Sequence, residues 1–285
     1  MIPAAFTYES PRTLDEALGL LESNPEAKLL AGGHSLLPAM KLRLATPPAL
    51  IDLGRIADLN YIRESGEQVA IGAMTPHAAV ASSDVLRKVS PLLAEAAASI
   101  GDVQVRNRGT IGGSLAQAHP SADYPAAILA LDAEVVARSR SGERVIPARE
   151  FSTGMFTTAL GPNEIITEVR VPNTAGAGVA YKKFAHPASG YAVVGVAAVV
   201  RKRGNSIDSA AIGVTGVGAT PYRATAAEEA LRGQPASAIA EASRLAGDVI
   251  DALGDTFASP EYRRHLAAVF TRRALQTALG GMRGK

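Results

Sequence analysis

Two glycine-rich stretches, Ala31-Gly32-Gly33-His34-Ser35 and Thr110-Ile111-Gly112-Gly113-Ser114, constrain this chain more than anything else in it. Each is expected where a buried apolar segment gives way to a loop. Paired glycines let a backbone turn sharply with positive φ and leave its N–H groups uncovered, so that an anion can touch the main chain. Two such stretches far apart in sequence predict a fold that brings them together on one diphosphate-bearing group. Lys28 and His34 flank the first, and Ser35 is placed to cap the helix that follows. Arg106 and Arg108 precede the second, positioned either to neutralise a diphosphate or to hold the loop through backbone carbonyls. Taken singly, each glycine pair also fits a plain tight turn, and His34 a plain surface histidine.

Around these stretches the pattern alternates between strand and helix. Thr13-Leu14-Asp15-Glu16 is a capping box, and Leu14, Ala17, Leu18 and Leu21 recur at helical spacing, which predicts a helix over Leu14–Ser23. Lys28-Leu29-Leu30 reads as a short strand running into the first glycine stretch. A helix then starts at Ser35 with proline in its first turn, and Leu50–Leu53 is the next strand. That order implies a small parallel unit. Strands are expected at 69–73, 133–138, 144–147 and 164–171. Thr75-Pro76 and Ser90-Pro91 each read as a cap followed by proline at the first helical position, and Gly101 stops the second helix. The polar segment 101–108 reads as a lead-in to the second glycine stretch. The small, polar run from Asn173 to Gly178 marks a boundary. Beyond it, strands are expected at 179–184, 193–200 and 210–217, then helices over 225–232, 236–253 and 261–279. The chain thus divides into residues 1–175, with lobes of about 1–57 and 58–175, and residues 176–285.

Composition removes several function classes. The net charge is +2 and no basic run stands out, so no nucleic-acid partner is expected. No apolar run is long enough for membrane insertion, and no export signal opens the chain, which points to a cytoplasmic location. There is no cysteine, which excludes disulfides, a thiol nucleophile and an iron–sulfur cluster ligated by this chain. Neither a Rossmann fingerprint nor a P-loop is present, and His34, His77, His119, His186 and His265 show no metal-ligand spacing. No catalytic side-chain set and no metal site are expected, so the chemistry would reside in a cofactor.

The two glycine stretches, and above all Gln104-Val105-Arg106-Asn107-Arg108-Gly109-Thr110-Ile111-Gly112-Gly113, resemble the FAD-binding medium subunits of molybdenum hydroxylases. Within that family the carbon monoxide dehydrogenase subgroup is most similar, and the resemblance runs along the whole chain. It implies an α+β fold: a two-lobed vanillyl-alcohol-oxidase-type FAD-binding domain followed by a C-terminal sheet-plus-three-helix domain. It implies FAD as cofactor, held by Lys28, Ala31, Gly32, Gly33, His34 and Ser35 and by Thr110, Ile111, Gly112, Gly113 and Ser114. By position, Asp123, Leu160, Lys183 and Tyr191 resemble further cofactor contacts. Each also has a plainer role open to it: a helix cap before Tyr124-Pro125, core packing, a solvated strand lysine and an inter-domain aromatic, respectively. Ser114 stands where related eukaryotic enzymes often carry asparagine.

The implied partners are a large molybdenum-cofactor subunit and a small subunit with 2Fe–2S clusters, in a heterotrimer able to dimerise, plus an external electron acceptor. Through such a complex the chain could be recruited to the inner face of a membrane. The implied activity is electron transfer from the clusters to that acceptor, in carbon monoxide oxidation. The alternatives are the same role in a hydroxylase of an aldehyde or an N-heterocycle, a stand-alone flavin oxidase, and a non-redox assembly module.

Overall fold

The computed structural model describes residues 1–248 and 251–282. Its first unit follows the capping signals. Thr13 Oγ1 accepts from the Glu16 N–H at 3.2 Å and starts a helix over Leu14–Ser23, whose Ala17, Leu18 and Leu21 are buried. Glu16 closes the box on the Arg12 N–H, at 2.8 Å. Lys28–Leu30 pairs parallel with Ala49–Asp52, and the helix Leu36–Lys41 lies between them in sequence. A strand that the sequence did not suggest, Thr7–Glu9, pairs parallel on the other edge of Ala49–Asp52.

The second unit is a five-stranded antiparallel sheet in the order Ile62–Ser65, Gln68–Gly72, Ile165–Pro172, Glu134–Ser139, Gly142–Pro147. Gln68–Gly72 and Ile165–Pro172 each bury alternate apolar residues against the helices Pro91–Ala98 and Tyr124–Ala130. Residues 173–177 then lead into a four-stranded antiparallel sheet: Gly178–Ala185, Ala192–Arg203, Ser206–Thr215, Tyr222–Arg223. The helix Pro260–Gly281 covers one face of it, capped as expected by Ser259, whose Oγ accepts from the Tyr262 N–H. The wholly buried helix Tyr124–Ala130 packs on strand Ser206–Thr215 so closely that a Cβ on Gly213 would stand 2.0 Å from the Ala126 carbonyl oxygen. The fold is α+β.

Several local expectations are corrected. Segment 101–108 contains a helix, Val103–Arg108, started by Asp102, whose Oδ1 accepts from the Val105 N–H at 2.8 Å. Thr75 does not cap the next helix: its hydroxyl exchanges hydrogen bonds with the Tyr61 backbone, and the helix His77–Ser82 begins after Pro76. Ser35 and Ser90 make no side-chain cap bond either. The expected helix over 236–253 breaks into Ala236–Ala238, Ile239–Ala242 and Ser243–Gly247. Asp248 leaves helical geometry there, and Gly247 lies against the Arg264 carbonyl, where a Cβ would stand 2.5 Å from the oxygen. Residues 249 and 250 of that expectation lie outside the described ones.

Candidate functional site

The two glycine stretches touch each other. A Cβ on Gly32 would stand 2.1 Å from the Arg108 carbonyl oxygen and 2.6 Å from the Gly109 Cα. Only glycine allows this approach between the loop after Lys28–Leu30 and the end of helix Val103–Arg108. Gly33 adopts φ +77°, the left-handed region, and turns the chain into the helix Leu36–Lys41. The amide N–H groups of Gly32, Gly33, His34 and Ser35 meet no backbone acceptor among the described residues. They form a concave set of donors of the kind that binds anions.

The second stretch works differently from the expectation. Gly112 and Gly113 are not in a loop and do not need positive φ; they form the first turn of helix Ile111–Gln117. The Gly112 N–H donates to the Ala73 carbonyl at 2.9 Å, the Gly113 N–H to Thr110 Oγ1 at 3.1 Å, and the Ser114 N–H to the Thr110 carbonyl at 3.0 Å. Gly112 is required because a Cβ there would come within 2.6 Å of the Ala73 Cβ. The first stretch thus supplies free donors, and the second supplies a closely packed wall. Arg106 takes the second of its two expected roles: its Nη1 donates to the carbonyls of Ile100 and Gly101, at 2.9 and 3.2 Å.

Both stretches line one cavity of about 570 Å³. Lys28, Ala31, Gly32, Gly33, His34 and Ser35 face it from the first unit. Thr110, Gly112, Gly113, Ser114, Asp123 and Leu160 face it from the second, and Ser189, Gly190 and Tyr191 come from the hairpin joining Gly178–Ala185 to Ala192–Arg203. Two residues named from the sequence do not line it. Ile111 is wholly buried in the core of the second unit. Lys183 lies one layer behind, buried rather than solvated, with Nζ 2.9 Å from the Asp123 carboxylate and 2.6 Å from the Ser99 carbonyl.

Asp123 is likewise not a helix cap. It accepts from the Tyr181 hydroxyl at 2.6 Å as well as from Lys183, and so ties the cavity wall to strand Gly178–Ala185. Burial pushes its carboxyl up from the ordinary range, while Lys183 and Tyr181 pull it back. Glu164, the other carboxylate on the lining, is held by Arg144 at 2.6 and 2.7 Å and by the Gly161 N–H, which keeps it below the usual carboxylate range. Both carboxylates are therefore committed to partners.

Two histidines on the lining were passed over in the sequence, where only metal spacing was asked of them. His119 stacks on Tyr191, with ring centroids 4.3 Å apart and planes 13° from parallel, and meets Phe156 edge-on. Its Nδ1 accepts from the Ser121 N–H, and burial lowers its basicity. His77, 4% exposed, sits beneath Gly109. Burial, with His34 and Arg106 adding to it, lowers its pKa to about 4. No motif signalled either residue. His119 follows the second glycine stretch closely in sequence, whereas His77 reaches it only through tertiary packing against Gly109.

Two family models match the chain: the FAD binding domain in molybdopterin dehydrogenase over residues 4–174, and the CO dehydrogenase flavoprotein C-terminal domain over residues 179–278. The carbon monoxide dehydrogenase medium chain of Hydrogenophaga pseudoflava is 42% identical, across 98% of each chain. A solved structure of carbon monoxide dehydrogenase from that organism superposes with a TM-score of 0.95, covering 98% of this chain and 99% of that one. The glyceraldehyde dehydrogenase medium chain of Sulfolobus acidocaldarius is 36% identical over 97% of this chain and 99% of its own. Quinoline 2-oxidoreductase from Pseudomonas putida 86 is similar in structure, with a TM-score of 0.94 at 32% identity, covering 99% of this chain and 100% of that one.

Proposed function

Because this chain belongs to the FAD-binding medium subunits of the molybdenum hydroxylases, we propose that it is the electron-transfer subunit of a carbon monoxide-oxidising complex. Its partners in that proposal are a large molybdenum-cofactor subunit and a small 2Fe–2S subunit, with an external acceptor beyond. Residues 1–175 would form the FAD-binding domain, in lobes of about 1–57 and 58–175, and residues 176–285 the C-terminal domain. The observation that carries the assignment is the single cavity on which both glycine stretches and the hairpin 186–191 converge.

The residues present fit FAD. Four backbone N–H groups without backbone acceptors, with Lys28 and His34 beside them, suit a diphosphate. The aromatic and aliphatic side chains of Tyr191, Phe156 and Leu160, together with His119, suit a flat ring system. When bound, FAD supplies the redox chemistry that lets such a subunit pass electrons onward. The chain's own residues bind, orient and shield it. Gly32 and Gly33 present the donors, Gly112 lets helix Ile111–Gln117 close against Ala73, and the Lys183–Asp123–Tyr181 set fixes the wall behind. Both lining carboxylates are already paired, so neither is free to serve as the base a stand-alone oxidase would need. A chain without cysteine also needs its iron–sulfur donor from a partner.

Carbon monoxide is the favoured substrate because that relative is 42% identical, against 36% for the glyceraldehyde enzyme. The test is anaerobic addition of carbon monoxide to the complex purified with its partners. Bleaching of the flavin absorbance supports the assignment. Bleaching by an aldehyde or an N-heterocycle but not by carbon monoxide reassigns the substrate and keeps the role.

A further inference from the structure

His77 is an aromatic base buried between the two glycine stretches, and nothing above gives its outer nitrogen a role. Its backbone N–H donates to the Gly109 carbonyl at 2.9 Å, which pins it under the start of the second stretch. Its Nδ1 lies 3.2 Å from the Tyr124 hydroxyl. Tyr124 is wholly buried, and among the described residues its hydroxyl meets no other hydrogen-bonding group. The phenol therefore donates to Nδ1, and the neutral imidazole carries its proton on Nε2. Nε2 lies against Gly109, where a Cβ would stand 2.6 Å from it, and the ring lines the cavity. No acceptor meets Nε2 among the described residues. Nε2 is open to the cavity rather than sealed in the core, and a ligand that displaces water from it leaves an unpaired donor unless it brings an acceptor of its own. The N–H groups of residues 32–35, equally without backbone acceptors, line the same cavity.

We propose that His77 is a further binding residue of the cavity, donating its Nε2–H to an oxygen of the cofactor's diphosphate. This rests on the assignment of FAD to the cavity. It makes His77 a hinge between scaffold and ligand: one nitrogen holds Tyr124 and the other holds the anion. The ring is a neutral donor, so it adds direction rather than charge, which Lys28 supplies.

Two isosteric substitutions separate this from a purely structural role. His77→Asn retains a polar group at the Nδ1 position, facing Tyr124, and loses the outer donor. His77→Gln retains an N–H near the Nε2 position and loses the inner contact. Each variant is co-expressed with its partner subunits, stripped of flavin and titrated with FAD, and the ³¹P spectrum of the bound diphosphate is recorded. The expected result is FAD binding weakened roughly ten- to a hundredfold in His77→Asn, with a shifted phosphate resonance, and affinity close to wild type in His77→Gln. The proposal is overturned if His77→Asn binds like wild type, if His77→Gln is the weaker of the two, or if both weaken equally with unchanged phosphate resonances. If the wild-type complex itself takes up no FAD, it is the assignment of the cavity that fails, and not the role of His77 alone.

Discussion

Single residues around the cavity carry charge in places where charge is costly, and that makes them testable. Lys183 and Asp123 are both buried and satisfy each other, with Tyr181 and Ser99 completing the set. Removing one partner leaves the other ion uncompensated, which costs about 3–5 kcal/mol in such pairs. Asp123→Asn is expected to lower thermal stability markedly, and adding Lys183→Met to recover much of the loss. A single variant as stable as wild type would contradict the pairing. His77 gives a pH dependence. Its folded pKa of about 4 lies below the ordinary 6.5, so the unfolded chain binds the extra proton between those values. Stability then falls as pH drops from about 6.5 towards 4, by roughly 3 kcal/mol at about 1.4 kcal/mol per pH unit. Urea midpoints for wild type should fall further over that window than those of His77→Gln; parallel curves would show that His77 does not titrate this way. Of these residues, Asp123 and Lys183 were legible in the sequence as positions but not as a pair, because sequence gives no distance between strand Gly178–Ala185 and the turn before Tyr124. His77 and His119 were illegible, since their significance lies in what packs against each ring.

Secondary-structure elements were read best where a local signal decided them. Thr13 and Glu16 set the start of the helix Leu14–Ser23, and Ser259-Pro260 the start of the last helix. Where long-range contact decided, the sequence misled. Gly112 and Gly113 look like loop residues, yet they sit in a helical turn, and their lack of side chains serves packing: a Cβ on Gly112 would meet Ala73, and one on Gly113 would meet Thr110 and Ala31. The strands Thr7–Glu9 and Ile62–Ser65 are short and mostly exposed, so they carry no apolar alternation to read. Contact between the glycine stretches is the element-level feature on which the site depends. Gly32→Ala would push its methyl into the Arg108 carbonyl, and overpacking of this kind costs about 1–3 kcal/mol. The expected outcome is a lower melting temperature together with a reduced flavin-to-protein ratio in the purified complex. An unchanged ratio would mean that the close approach of the two segments is not needed for binding.

At the scale of the whole molecule, the cavity exists because three separately built units meet around it. The parallel unit brings free amide donors, the antiparallel sheet and its helices bring a packed wall, and the hairpin of the C-terminal sheet brings Tyr191, 39% exposed, onto His119. No one unit contains the site. That the two glycine stretches come together in space was legible in the sequence; that only the first keeps its amides free of backbone acceptors was not, because hydrogen-bond partners such as Ala73 are set by tertiary packing. The central claim is that those amides hold the cofactor. Amide hydrogen exchange on the flavin-stripped complex, before and after adding FAD, tests it directly. Exchange at residues 32–35 should slow strongly on binding, while Gly112 and Gly113, already bonded within the protein, should change little. Saturation with FAD that leaves residues 32–35 exchanging as before would contradict it.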